Sequence, residues 1–425
     1  MNTVDQRDDA TGTVAADRGP GTAAPCDPPA LRSVLVINQL AGPLMVELLA
    51  DLRDRGVSCR ILTGHIEADP ARLADIEVLP ARGLDKRGAL RRIWTWGLFT
   101  LQALAAIARL RRQPLLVVTN PPLVMLALPL MKKLFGLRYA LLIYDVYPDA
   151  MERMGMIRPG GLAARLWRGL SRRSLLAAQV VITIGRQMCR TLQDHLRPGD
   201  VCDIRIIPTW VDTDFIRPLD KSQNPFVRQH GLEGKFVVLY SGSFGATHDI
   251  ESIVEAAGRL TDLPDVQILL IGGGTRWDEL SRLVAQRQLP NLKLLPFQPR
   301  EVLPFSLAAA DCQIVALDEA YAGISVPSKT YYALAAGSAL LAISPPGTEL
   351  VELVEEHACG LHVPPRNPKS LSEAVRRLHG DASLLQLCRR CARQAAEGAY
   401  SRNSAVPQFL RALGQAFGEP AASAA

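Results

Sequence analysis

AGISVPSKTYYALAAG, residues 322–337, is the stretch around which most of the chain can be read. Upstream of it, the apolar run Cys312-Gln313-Ile314-Val315-Ala316-Leu317 predicts a strand ending in an acidic turn at Asp318-Glu319. Pro327 and Ser328 then predict a helix start with a serine cap, and Gly337 closes a short helix. A helix start leaves backbone N–H groups unpaired and puts partial positive charge at the mouth of the preceding loop. Lys329 in the first turn adds a full charge. A lysine there opposes the helix dipole and costs stability unless an anion binds. The stretch therefore predicts an anion site, with a solvated lysine on a surface helix as the alternative.

The same strand, loop, helix pattern recurs on both sides. Before residue 217 the buried-strand runs are Arg32 to Ile37, Cys59 to Leu62, Ile76 to Leu79, Leu115 to Val118, Tyr139 to Ile143, Val180 to Ile184 and Ile204 to Ile207. After a polar linker from Arg217 to Phe226 come Phe236 to Tyr240, Val266 to Ile271, Leu292 to Leu295, Cys312 to Ala316 and Ala339 to Ile343. Continuous apolar strands separated by helical segments predict parallel sheets covered on both faces. The expected architecture is α/β, with two doubly wound parallel-sheet domains at residues 31–216 and 217–400. A disordered tail at 1–30 precedes them, and a C-terminal helix and tail at 401–425 follow. Ligands of such sheets sit at the carboxyl ends of the strands, so two sheets face to face would place loops Gln39–Pro43 and Ser241–His248 on opposite walls of a cleft.

At 425 residues the chain exceeds one typical core. A net charge of +6 favours anionic partners such as nucleotide diphosphates or an acidic lipid surface, and its scatter argues against nucleic acid. Eight cysteines spread through apolar segments fit reduced cytoplasmic thiols, and the lone CxxC at Cys388 and Cys391 in a probable helix lacks a second pair for zinc. Residues 1 to 30 have no signal-peptide pattern. Ile93 to Ala108 is uncharged, carries Trp94, Trp96 and Phe99, and is rimmed by Arg91, Arg92, Arg109, Arg111 and Arg112. Pro114 to Met131 is a second uncharged run, broken by Asn120-Pro121-Pro122. We read a basic-rimmed amphipathic patch on the inner membrane face, with a buried helix and strand pair as the alternative.

Three loops of the second half follow predicted strands: Ser241-Gly242-Ser243-Phe244-Gly245, Gly272-Gly273-Gly274, and the loop before Val326-Pro327-Ser328-Lys329. None is GxGxxG or a P-loop. Together with Ala333-Leu334-Ala335-Ala336-Gly337 and Cys359 to Pro365, they resemble the donor-binding domain of family 4 retaining glycosyltransferases of the GT-B fold. In the first half the resemblance rests on Thr119-Asn120-Pro121-Pro122, Tyr144-Asp145-Val146-Tyr147-Pro148-Asp149 and Ile207-Pro208-Thr209-Trp210-Val211-Asp212. The segments around Lys329 and Asp145 look like the subgroup that builds bacterial surface polysaccharides of the fucosamine and colanic-acid type.

That resemblance implies a nucleotide-diphosphate sugar donor and a lipid-linked or oligosaccharide acceptor, with retention and no metal or other cofactor. The donor-binding set it implies is Gly42, Gly242, Ser243, Gly245, His248, Ser328, Lys329 and Tyr332. The catalytic candidates are Lys329, to stabilise the leaving diphosphate, and Asp145 and Asp149, to hold or deprotonate the acceptor. Helix capping is the alternative role for Asp149. The wider family carries E-x7-E, and its two positions fall here on Ile324 and Tyr332, so neither carboxylate role carries over. The family's Arg and Lys after the first strand of the second domain fall on Ser243 and His248. Two other readings stand beside this one: a noncatalytic partner subunit of a membrane glycosyltransferase, and a nucleotide-sugar 2-epimerase.

Overall fold

The computed structural model describes residues 31–67, 70–85, 87–245 and 249–418; the tail expected at 1–30, His248 and the last residues lie outside these. In chain order the first strands are β1 (Ser33–Ile37), β2 (Leu40–Ala41), β3 (Ser58–Thr63), β4 (His65–Ile66), β5 (Glu77–Pro80), β6 (Leu115–Val118), β7 (Tyr139–Ile143), β8 (Val180–Thr183) and β9 (Ile204–Ile206). The second set is β10 (Phe236–Ser243), β11 (Val266–Gly273), β12 (Leu292–Pro296), β13 (Cys312–Ala316), β14 (Ala339–Ile343) and β15 (Gly360–Val363).

They form a seven-stranded sheet in the order β5-β3-β1-β6-β7-β8-β9 and a six-stranded sheet in the order β12-β11-β10-β13-β14-β15. All pairings are parallel, including the short β2–β4 pair that the sequence reading did not anticipate. Strand order reverses between β1 and β6 in the first sheet and between β10 and β13 in the second. At these switch points neighbouring crossovers leave on opposite faces and open a crevice at the strands' carboxyl ends. The loops expected to meet a ligand lie at these two places.

Each sheet is packed on both faces, which is why its strands read as unbroken apolar runs. On one face of the first sheet lie helix Pro43–Asp54 and, unexpectedly intimate with it, the C-terminal helix Arg402–Phe417. Phe409 and Leu413 of that helix join Val34, Val36 and Leu116 in one cluster, and Phe409 meets Trp210 edge to face at 5.7 Å. Arg402 pairs with Asp51 at 2.7 Å. The chain thus completes the second sheet and returns to finish the first.

The opposite face carries helices Ala89–Arg109 and Leu123–Phe135. The uncharged segment 93–108 is two-faced. Phe99, Ala103 and Ile107 pack on the sheet, and Trp96 is only 5 % exposed, edge-on to Tyr147 at 6.4 Å. Trp94 is 65 % exposed, with Leu90, Ile93 and Leu101 also outside. The expectation that both tryptophans face a membrane is corrected for Trp96, because a 100° turn per residue sends it to the sheet side. Among the described residues no helix is long and apolar enough to cross a membrane.

Replacing Phe409 by alanine should cost about 3–5 kcal/mol, the usual penalty for emptying a buried aromatic site. Hydrogen exchange should quicken first in β1 and β6, although Phe409 lies far from both in sequence. Loosening confined to the second sheet would contradict this packing.

Candidate functional site

The residues expected to form an anion site, Lys329 and the loop after β10, lie at the second sheet's switch point. Helix Lys329–Ala335 starts at Lys329, with Ser328 at the capping position. The serine cap itself does not form: Ser328 is exposed and its side chain makes no capping bond. Lys329 instead reaches back to β10. Its Nζ donates to Tyr240 Oη at 2.9 Å and stands 4.2 Å from the centre of the Tyr240 ring. Tyr240, wholly buried, donates in turn to the Ser243 carbonyl at 2.9 Å, which ties the lysine to the end of the strand.

Gly242 lies directly beneath the ammonium. Its φ is +149°, and a Cβ there would stand 3.7 Å from Nζ. The loop below it is packed backbone to backbone. A Cβ on Gly272 would run into the Gly242 carbonyl, and the Phe244 N–H donates to the Gly273 carbonyl at 2.7 Å. Glycine is required here by close approach. Ser243 is exposed beside this loop, and Gly245 is the last described residue before the break that holds His248.

Burial pulls the Lys329 pKa down to about 7, and no carboxylate among the described residues contributes to the shift. A buried ammonium without a counter-charge is costly until an anion meets it. Across the cleft, Gly42 precedes helix Pro43–Asp54, with nothing within 4 Å of where its Cβ would be. Its backbone therefore borders open space. Tyr332, three residues beyond Lys329, shares that residue's side of the helix. Its surroundings include Glu47, Arg300, Glu67 and Asp212, and its hydroxyl pKa is raised, by burial first. Three of these neighbours, Glu47, Glu67 and Arg300, line a cavity of about 470 Å³ together with Pro43, Val46, Arg72 and Glu301.

The two acids of the first domain have separate fates. Asp145, just after β7, lies close to the Ser325 hydroxyl of the second domain; burial raises its pKa, and the nearby hydroxyl works against that rise. Asp149 opens helix Asp149–Arg153 and is held by His195 Nε2 at 2.7 Å and Arg168 at 3.0 Å. Burial alone would push its pKa up, yet His195 and Arg168 outweigh it and hold the carboxyl at about 2. Asp149 is committed to that ion-paired cluster, so the cleft role foreseen for the pair rests on Asp145.

Ile324 and Tyr332, the positions where family carboxylates would fall, are also unlike each other. Tyr332 is half-buried within electrostatic reach of Glu47, Arg300 and Glu67; Ile324 is fully buried among first-domain side chains. Glu47 and Tyr240 were missed as site residues. Glu47 is 3 % exposed and accepts from Trp210 Nε1 at 3.0 Å. An acid inside the apolar run PLMVELLADL was the available signal for it; nothing in the sequence marked Tyr240 as the lysine's partner.

Residues 41–210 match the family described as Glycosyl transferase 4-like domain, and residues 222–398 match Glycosyl transferases group 1. The chain belongs to the family 4 glycosyltransferases of the GT-B fold. It is 28 % identical over 257 residues to "Probable glycosyltransferase WbjE" of Pseudomonas aeruginosa, a match covering 60 % of this chain and 64 % of that relative. It is 29 % identical over 287 residues to WcaI of Escherichia coli (strain K12), described for colanic acid biosynthesis, covering 66 % of this chain and 69 % of the other. In fold it is similar to sucrose-phosphate synthase of Thermosynechococcus elongatus, with a TM-score of 0.69 and 17 % identity over 89 % of this chain and 97 % of that one. Anabaena Alr3699/HepE, solved in complex with UDP, has a TM-score of 0.68 at 16 % identity, over 90 % and 99 % of the two chains.

Two outcomes follow from an ammonium titrating near 7. Affinity for a nucleoside diphosphate should fall as pH rises from 7 to 9, by at most about tenfold per unit, because binding must then take up a proton. Calorimetry in buffers of different ionisation enthalpy reads that uptake, and a flat profile would detach Lys329 from the anion. In the ligand-free protein the unfolded lysine binds the proton more tightly, so this group's penalty on the fold grows as pH falls from 10 towards 7. Lys329→Met should accordingly raise the melting temperature at pH 7 while weakening diphosphate binding.

Proposed function

We propose that this protein transfers a sugar from a nucleotide-diphosphate sugar to a lipid-linked saccharide at the cytoplasmic face of the inner membrane, in exopolysaccharide or O-antigen type biosynthesis. The observation that carries the reading is the Lys329 ammonium, half-buried against Tyr240 over the Gly242 backbone and matched by no carboxylate among the described residues. When the bond between the anomeric carbon and the diphosphate oxygen breaks, negative charge builds on the leaving group. A preset ammonium with neighbouring backbone N–H groups stabilises that charge without a metal ion. The acceptor oxygen bonds to the anomeric carbon on the face the diphosphate leaves, which retains configuration, and its proton passes to Asp145 or to the departing diphosphate. The burial that raises the Asp145 pKa makes it a better proton acceptor near neutrality. Gly42, Ser243, Gly245 and Ser328 border the diphosphate in this reading, His248 belongs to the same loop, and Tyr332 stands towards the ribose.

The surface of the first domain supports a lipid-linked acceptor. Leu90, Ile93, Trp94 and Leu101 on helix Ala89–Arg109 are exposed, as are Leu130 and Leu134 on helix Leu123–Phe135 and Leu162 and Leu166 on helix Leu162–Ala177. These helices pack side by side, and Arg91, Arg109, Arg111, Arg112, Lys133 and Arg165 are exposed on them or at their ends. An apolar surface rimmed by arginine and lysine suits an anionic bilayer.

A screen of UDP-, GDP- and dTDP-sugars should find one donor that, at about a hundred times its Kd, stabilises the fold by about 2.7 kcal/mol. With that donor and a lipid-linked acceptor, nucleotide diphosphate should be released, and Asp145→Asn should slow release by about a hundredfold while sparing donor affinity. Binding without release for any acceptor would favour the noncatalytic partner reading. Trp94→Ser should weaken attachment to anionic vesicles and leave the melting temperature unchanged, whereas Trp96→Ser should lower the melting temperature. Equal vesicle binding by the Trp94 variant and the wild type would remove this surface from the membrane.

A further inference from the structure

The loop between β13 and helix Lys329–Ala335 belongs to the second domain by sequence, yet its middle is embedded in the first. Ile324 is fully buried in the cluster formed by Val146, Ala150, Ile184, Met188 and Leu192, all first-domain residues. The backbone around it is fastened as well. The Val146 N–H donates to the Ile324 carbonyl at 3.3 Å, the Thr191 hydroxyl to the Gly323 carbonyl at 2.8 Å, and Arg153 to the Ala322 carbonyl at 2.8 Å. Gly323 has a φ of +74°, and a Cβ there would stand 3.2 Å from Thr191 Oγ1, so the sharp turn that aims Ile324 inward calls for glycine. On the far side, Val326 Cγ2 comes within 3.0 Å of where a Cβ on Gly185 would be. Both flanks of the loop are thus in close contact with first-domain backbone.

We propose that Ile324 is a positioning residue for transfer: its insertion into the first domain, with its carbonyl on the N–H of Val146, keeps Ser325 beside Asp145 and sets Asp145 at a fixed place relative to Lys329. This rests on the reading of Asp145 as the group that meets the acceptor. The inference comes from the order of contacts along one short segment. Residue 324 anchors in the first domain beside Val146, residue 325 stands close to the cleft acid Asp145, and residue 329 carries the ammonium of the second domain. Between the anchor and the ammonium the chain has only four residues to span, so movement of Ile324 out of its socket must displace Ser325 from Asp145. The Tyr240, Gly242 and Lys329 contacts lie wholly within the second domain and do not need the socket. Donor binding and transfer should therefore separate when the anchor is lost, since a small misplacement of a reacting group lowers turnover steeply without touching ground-state binding.

The test compares Ile324→Glu, Ile324→Val and Ser325→Ala in the full chain. A glutamate cannot stay in an apolar socket, so Ile324→Glu should increase the radius of gyration in solution scattering and speed hydrogen exchange at Val146 and Thr191. It should keep diphosphate affinity within about twofold and lower kcat at least about tenfold. Ile324→Val, which keeps the plug, should restore kcat to within about threefold. Ser325→Ala should leave scattering unchanged and move the acid limb of the pH–rate profile upward, because the hydroxyl favours the charged carboxylate; the other titratable groups facing Asp145 are the Tyr147 and Tyr321 phenols. If the glutamate variant does not fold, the serine variant alone decides: an unshifted limb overturns the proposal. Unchanged scattering and kcat in a folded Ile324→Glu protein would overturn it too, as would diphosphate affinity falling in step with kcat. Should the wild type transfer no sugar at all, the functional reading fails, while scattering and exchange still report whether Ile324 joins the domains.

Discussion

A half-buried ammonium held against a tyrosine ring, with no carboxylate among the described residues to balance it, is the constraint on which the candidate site depends. Taking a charge out of water costs several kcal/mol unless something repays it, and a protein commonly escapes by neutralising the group. The Lys329 pKa, brought down to about 7, is that escape half taken. Keeping the lysine there requires the rest of the local structure: Tyr240 fixed by its bond to the Ser243 carbonyl, Gly242 with no side chain to fill the space beneath, and Gly272 allowing β11 to press on the Gly242 carbonyl. The same features place a positive charge without a carboxylate partner among the described residues at the carboxyl end of β10. In the proposed reaction, that local cost in stability would let charge developing on a leaving group meet a partner already in place.

The two domains are joined by more than the linker. The chain crosses from the first sheet to the second near residue 217 and returns with helix Arg402–Phe417, whose Phe409 packs on Trp210. At the other end of the interface Arg186 pairs with Glu356 at 2.7 Å, and the Gln187 N–H donates to Glu349 at 3.2 Å. The exposed Arg186–Glu356 pair contributes little by itself. The buried Ile324 contributes more, since it exchanges water for packed side chains. A cleft whose walls come from different domains needs such a contact if groups on the two walls are to keep a fixed separation.

What was legible in the sequence was whatever depends on neighbours along the chain. Continuous runs such as Leu115 to Val118 and Cys312 to Ala316 became strands with the expected bounds, because a strand buried on both faces must be apolar at every position. The place of Lys329 at a helix start was equally local. The serine cap failed because Ser328 adopts helical angles, φ −59° and ψ −26°, from which its side chain does not reach back to the first turn. β15 was harder to see because Gly360 and His362 interrupt its apolar run.

Everything that depends on residues distant in sequence waited for the tertiary structure. Trp94 and Trp96 are alike in composition and two positions apart, and only the direction of the sheet decides that one is core and the other surface. Asp145 and Asp149 sit in one motif, yet His195 and Arg168 claim the second while Ser325 of the other domain meets the first. Ile324 reads in sequence as a lost carboxylate and proves in space to be an apolar plug. The sequence by itself determined two parallel α/β domains and the place of Lys329 at a helix start near a glycine loop, since periodicity and helix-end chemistry are properties of short segments. Which groups share the cleft, and with what charge, was decided by the tertiary structure, because pKa, burial and pairing belong to whatever the fold brings within a few ångströms.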